Sequence, residues 1–171
     1  MLLLETLDRA RRRAARVYAE IRGYGLSCDA RHPVAPDQAS IAACMRRAHA
    51  RAGVSAAEIG MVSAHGTGTK ANDITEAAAI REVFGAVPPP TVSVKSMIGH
   101  TMGAASALAA IACVGALRQG FIPPTINHWR TDPECPLDCV PNHARKATLR
   151  VVQNNAFAFG GNNSVLILAA P

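Results

Sequence analysis

Two short apolar runs, each leading to a histidine in a glycine-bounded turn, constrain this chain more than any other feature. Ile59 to Ala64 is too short for a core helix and reads as a buried strand ending at His65, with the turn Gly66-Thr67-Gly68-Thr69 behind it. Thr91 to Val94 reads as a second strand, ending at Lys95, with Gly99-His100 close behind. Helical stretches separate the runs, so the class is α/β, a mixed sheet with packed helices. A side chain at the C-terminal end of a strand in such a sheet points into the crevice where ligands bind.

The helices are read from their ends. Asp37 is an N-cap for a helix over Asp37 to Ala52, which Gly53 stops. Asp73 and Glu76 form a capping-box-like pair at the start of a helix that runs through Ala77, Ile80 and Val83 to Phe84, before Gly85. Thr101 to Leu117 carries no charge, is shorter than a bilayer span and is rich in Ala, Gly and Ser. It therefore predicts a buried core helix over Gly103 to Gln119, not a membrane span. Met1 to Leu4 reads as a strand remnant, Glu5 to Ala15 as a charged helix and Arg16 to Leu26 as a strand. Ser27 to Pro36 reads as loop, Phe121 to Ile126 as extended chain and 128–148 as a long polar loop. Two final strands are expected at Leu149 to Asn154 and Val165 to Leu168, around a Phe-Ala-Phe-Gly-Gly turn.

At 171 residues, 49% of them apolar, the chain is one domain, 1–171, with enough apolar side chains for a real core. The net charge of +6 comes from 18 basic and 12 acidic residues. Much of it sits in Arg9, Arg11, Arg12, Arg13 and Arg16, which reads as a solvated helix face or a dock for an acidic partner. Zinc-finger spacing and aromatic–basic interleaving are both missing, which argues against nucleic acid. The spacing of His128, Cys135, Cys139 and His143 fits no metal site. Five cysteines without a signal peptide before them point to reduced thiols in the cytoplasm.

The two histidines carry the chemistry. Gly66 and Gly68 allow close backbone approach to a ligand, and Thr67 and Thr69 offer hydroxyls. His100 precedes a helix, whose N-terminus disfavours an imidazolium; a neutral ring can donate a hydrogen bond to developing negative charge. Lys95, at a strand end, needs a partner if it is partly buried. Gly66-Thr-Gly68 is not a nucleotide loop, because the third glycine is missing and Lys70 is followed by Ala71.

His-Gly-Thr-Gly-Thr with Asp73, then Lys-Ser-x-x-Gly-His, then Asn-x-Phe-x-Phe-Gly-Gly-Asn-Asn resembles, in this order, the β-ketoacyl-acyl-carrier-protein synthases of the thiolase superfamily. Pro123-Pro-Thr-Ile-Asn127 and Leu137-Asp-Cys-Val-Pro141 are similar to the bacterial fatty-acid branch. The resemblance covers essentially the whole chain and begins inside a family strand, at Met1-Leu-Leu-Leu-Glu5, with the family's nucleophile half upstream of it. It implies the C-terminal half of a thiolase-like layered fold. It also implies decarboxylative condensation of an acyl thioester with malonyl-acyl carrier protein, in fatty acid or polyketide synthesis.

By this resemblance His65 and His100 bind the malonyl thioester carbonyl and stabilise the enolate, and Lys95 sets the local electrostatics. Thr67 and Thr69 match positions that hydrogen-bond the phosphopantetheine arm, which the carrier protein brings; no cofactor is bound. Phe159 matches the gate, with its backbone N–H in the oxyanion hole and Gly160 and Gly161 letting it move. Phe157, Asp73 and Glu76 lie near the site. Two departures stand out. No cysteine sits in the strand-to-helix turn that the nucleophile requires, Cys113 being mid-helix and inert. Ala109 stands where many fatty-acid members carry the glutamate that pairs with the lysine.

Three readings stay open. The chain is the C-terminal half of a condensing enzyme whose cysteine comes from another segment or a second chain. Or it is a non-catalytic partner of the chain-length-factor kind. Or it is an inactive remnant. Half of such a fold exposes a sheet edge and an apolar face, which predicts dimerisation or aggregation.

Overall fold

The computed structural model describes residues 2–171. The expected strand at Met1 to Leu4 is not formed by Leu2, Leu3 and Leu4, and Met1 lies outside the described residues. The elements in chain order are α1 (Leu7–Arg12), β1 (Glu20–Cys28), α2 (Gln38–Ala52), β2 (Ile59–Ser63), α3 (Lys70–Phe84), β3 (Thr91–Val92), α4 (Lys95–Ile98), α5 (Ala105–Gln119), β4 (Phe121–Ile122), β5 (Arg145–Lys146), β6 (Val151–Ala158) and β7 (Asn162–Ala169).

The main sheet has the order β1-β7-β6-β2-β3. Strands β1, β7 and β6 are antiparallel neighbours, whereas β6, β2 and β3 run parallel. Strands β4 and β5 form a separate two-stranded ribbon. The period-2 alternation of strand residues divides the core in two. Val62, Phe157, Val165 and Ile167 face α2 and α3, meeting Ile41, Met45, Ala48 and Ile80. Met61, Val152 and Leu168 face the other way, onto Ala110, Cys113 and Leu117 of α5. Helix α2 lies directly on β1: a Cβ at Gly25 would come within 2.1 Å of the Cys44 carbonyl oxygen.

Local chemistry fixes α2 as expected. Asp37 accepts from the Ser40 N–H at 2.8 Å, and Gly53 closes the helix at φ 65°. Elsewhere tertiary pairing moves the boundaries. Strand β1 begins four residues later than the expected Arg16 and ends at Cys28, inside the expected loop, because pairing with β7 from Glu20↔Ala169 to Cys28↔Asn162 sets its length. Strands β6 and β7 are longer than expected and pair up to Ala158↔Asn162. The charged helix shortens to Leu7–Arg12, ended by Ala14 at φ 53°.

The uncharged run is core on one face only. In α5, Ala109, Ala110, Cys113, Ala116 and Leu117 are buried, while Leu108 and Ile111 are exposed. The stretch Met102–Gln119 is apolar and long enough to cross a membrane by length and composition, and a third of it is buried in the fold. On the edge strand β1, Ile21, Tyr24 and Leu26 are exposed as well.

Candidate active site

Strand β2 delivers His65 and the segment before α5 delivers His100; their ring centroids lie 5.8 Å apart, edge to face. Phe157, the seventh residue of β6, packs its ring 5.4 Å from that of His65. Parallel pairing of β2 with both β3 and β6 converges these groups at one end of the sheet. The backbone must turn sharply behind His65. Gly66 has φ 43°, and a Cβ there would meet Ser93 at 2.6 Å, so both conformation and space require glycine. Ser93 Oγ then donates to the Gly66 carbonyl at 3.0 Å.

Glu76 does not do what its spacing from Asp73 suggests. Helix α3 starts at Lys70 with Thr69 as N-cap, so Asp73 and Glu76 lie inside it and form no capping box. The buried Glu76 carboxylate instead accepts the backbone N–H of His65 at 2.8 Å and of Gly66 at 2.9 Å. Asn155 Nδ2 at 3.0 Å and Asn72 Nδ2 at 3.3 Å complete four donors. Asp73 takes the Gly68 N–H at 3.3 Å. The two acids therefore hold the turn from below. Sequence reasoning missed Asn72 and gave Asn155 no role, although Asn155 opens the Asn-x-Phe-x-Phe motif.

Lys95 is the first residue of α4, not the last of a strand: β3 stops at Val92. Its ammonium donates to the His65 carbonyl oxygen. The His65–Gly66 peptide is thus held at both ends, its C=O by Lys95 and its N–H by Glu76. With alanine at 109, this carbonyl and the nearby Glu76 and Asp73 charges are the partners of Lys95. Burial pushes the lysine down, against the two acids. Burial likewise pushes the Glu76 carboxyl up, against its four donors.

His65 is driven down to about 4 by burial first, then by the charges of Lys95 and His100, so it is neutral near pH 7. The His100 ring is oriented by a nearby backbone group rather than by the start of α5, five residues on. Its Nδ1 accepts the Met102 N–H at 3.0 Å, so the neutral tautomer carries its proton on Nε2. The pair offers a neutral, half-buried imidazole beside an exposed ring with a donor free to reach an incoming oxygen.

Thr67 and Thr69 are close, Oγ1 to Oγ1 2.8 Å, and line a cavity of about 590 Å³ with Gly66, Lys95, Ser96 and Thr125. Phe159 is 72% exposed at the β6–β7 turn. Gly160 and Gly161 both have φ 75°. The Gly160 N–H is taken by the Pro33 carbonyl at 2.8 Å, and the Gly161 carbonyl accepts the Asp29 N–H at 3.1 Å. The loop of 29–33 thereby latches the turn, with Asp29 against Gly161 Cα. Of the five free cysteines, Cys44, Cys113, Cys135 and Cys139 are all pushed up by burial, Cys113 to about 12. Cys28 is exposed, its thiol 3.4 Å from the Gly160 carbonyl.

The mixed sheet with its packed helices is one half of a thiolase-like layered fold, as in solved ketosynthase structures. The comparisons name the family. Residues 18–128, more than half of the chain, match the model described as Beta-ketoacyl synthase, C-terminal domain, and the chain belongs to that family. Nodulation protein E of Rhizobium meliloti is 47% identical over 168 residues, 97% of this chain and 42% of the relative. The 3-oxoacyl-[acyl-carrier-protein] synthase 2 of Coxiella burnetii is 42% identical over 172 residues, 98% of this chain and 42% of the relative. The solved structure of the ishigamide ketosynthase/chain length factor superposes with a TM-score of 0.96 at 62% identity, over 98% of this chain and 41% of that one. The chain spans about two fifths of the length of these relatives.

Proposed function

We propose that this chain supplies the His65, His100 and Lys95 part of a decarboxylative condensation site that joins an acyl thioester to a malonyl unit on acyl carrier protein, in fatty acid or polyketide synthesis. The observation that carries the reading is the histidine pair, 5.8 Å between centroids, with His65 neutral and the His100 Nδ1 engaged so that Nε2–H is available. Two imidazole N–H donors converging on one thioester oxygen would stabilise an enolate as carbon dioxide leaves. Lys95 and Glu76, clamping the His65–Gly66 peptide, hold the first donor still. Thr67 and Thr69 would hydrogen-bond the phosphopantetheine arm, and the Phe159–Gly161 turn would gate the acyl side. The substrates arrive on the carrier's own prosthetic group, so no resident cofactor is needed.

The nucleophilic cysteine is assigned to another segment or to a second chain. Four of the five thiols here are held up by burial, and Cys28 is the last residue of β1 rather than part of a nucleophile turn. The exposed apolar residues Leu108 and Ile111 on α5, and Tyr24 and Leu26 on the edge strand β1, suit that partner or a dimer mate, and the same need for cover argues against reading α5 as a membrane span. Five unpaired thiols suit the cytoplasm. A chain-length-factor role is the second reading, favoured by the likeness to a ketosynthase/chain length factor pair. It gives no reason for an oriented histidine pair.

The test is release of carbon dioxide from malonyl-acyl carrier protein after mixing with a nucleophile-bearing synthase half. Wild type is expected to restore release. His100→Ala is expected to lower it about 100-fold or more, the usual worth of one oxyanion donor, while leaving acyl transfer to the partner's cysteine intact. Equal loss of both steps would remove the assigned role, and no release with wild type would favour the non-catalytic reading.

A further inference from the structure

Glu76 is one end of a buried polar chain that the condensation chemistry does not use. His49 of α2 is 6% exposed and Gln153 of β6 fully buried, with His49 edge-on to Phe84 at 5.5 Å. Glu76 accepts at all four of its contacts, so Asn155 must present its Nδ2 to it, at 3.0 Å. That turns Asn155 Oδ1 toward Gln153 Nε2, at 2.8 Å. Gln153 Oε1 is left facing His49 Nε2 at 2.6 Å, and the ring must donate there. Every N–H in the row points toward the carboxylate: His49, Gln153, Asn155, then Glu76 under the His65 turn.

Neither amide can invert alone. Inverting Asn155 sets its oxygen against the carboxylate and its NH₂ against that of Gln153. Inverting Gln153 sets oxygen against oxygen and N–H against N–H. The direction is therefore held by a terminal acceptor, Glu76, and a terminal donor, His49, in a region where an unmet polar group is costly.

We propose that His49 and Gln153 are positioning residues for His65, acting across the sheet by anchoring the far end of the amide row and so holding in place the donor that Asn155 gives to Glu76. Only the catalytic consequence rests on the condensation reading; the coupling itself is a property of this chain. Without the His49 donor, the buried Gln153 Oε1 loses its partner, the Gln153–Asn155 contact loses its anchor, and the carboxylate that carries the His65 and Gly66 N–H groups has a less firmly held donor.

Backbone amide hydrogen exchange in the 171-residue chain tests this. His49→Leu is expected to speed exchange at His65 and Gly66 about tenfold relative to Ile167 of β7, which lies outside the row, as a local opening would. His49→Gln keeps an N–H donor and is expected to stay within about twofold of wild type, on the same reasoning. Uniform acceleration at all three amides, or none at His65 and Gly66, overturns the proposal. If His49→Leu does not fold, Gln153→Glu carries the test, because a carboxylate cannot donate to Asn155; the same local acceleration is expected. In the complemented enzyme, His49→Leu should lower the decarboxylation kcat with KM for malonyl-acyl carrier protein little changed. Carrier-protein decarboxylation that fails in wild type, with the exchange result as expected, removes the proposed reaction and leaves the coupling standing.

Discussion

Neutral His65 ties the stability of this fold to pH, and the effect can be worked out from its surroundings. Burial and the charges of Lys95 and His100 take the ring from its ordinary 6.5 to about 4. In the unfolded chain the ring binds a proton below about 6.5, whereas in the fold it stays neutral until about 4. Its contribution is therefore fully present above pH 6.5 and is lost as the pH falls toward 4. An interval of about 2.5 pH units at 1.36 kcal/mol per unit is about 3 kcal/mol. The ring is only partly buried, and solvent screening of the two cations brings this to about 2 kcal/mol. Urea unfolding of wild type and His65→Phe at pH 7, 6, 5 and 4.5 isolates the contribution, since phenylalanine keeps an aromatic ring against Phe157. Wild type should lose stability more steeply than the variant across this range, the difference approaching about 2 kcal/mol. Parallel pH profiles would refute the reasoning, because they would mean that His65 titrates alike folded and unfolded.

Three further outcomes are expected. Glu76→Gln turns an NH₂ toward two of the four N–H donors on the carboxylate and should cost about 3 kcal/mol in urea unfolding, the usual penalty for breaking a buried charged hydrogen-bond set; a neutral result would mean that those donors find other partners. Gly25→Ala forces a Cβ to within 2.1 Å of the Cys44 carbonyl oxygen, and should lower the thermal midpoint by an amount equivalent to about 3 kcal/mol, the upper part of the overpacking range. Thiol labelling of the native chain should modify the exposed Cys28 first and the buried Cys44 and Cys113 only on unfolding; rapid labelling of Cys113 would contradict its place between α5 and the sheet.

The parts of the fold that sequence reading found are those that local chemistry settles. Helix α2 has its cap, Asp37, and its stop, Gly53, in the sequence, because each completes hydrogen bonds within a few residues. The two histidines were legible because a short apolar run bounded by glycines reads as a strand leading into a turn. The strands β6 and β7 were harder. Gln153, Asn154 and Asn155 look like the end of a strand, yet they are buried and hydrogen-bonded to residues far along the chain.

By itself, then, the sequence determined the α/β alternation, the extent of α2, the strand that ends at His65 and the glycine-bounded turn behind it. Each of these depends on propensity, patterning or capping within one element. Only the tertiary structure decided what Glu76 and Lys95 do. The spacing of Glu76 from Asp73 fits a capping box, but the helix begins at Lys70 and the carboxylate is drawn to the His65 turn and to Asn155, 79 positions away. Lys95 finds a backbone carbonyl across the site, not a side chain near it in the sequence. A buried charge is settled by whichever groups surround it in space, and those groups come from four separate elements that meet only when the sheet forms.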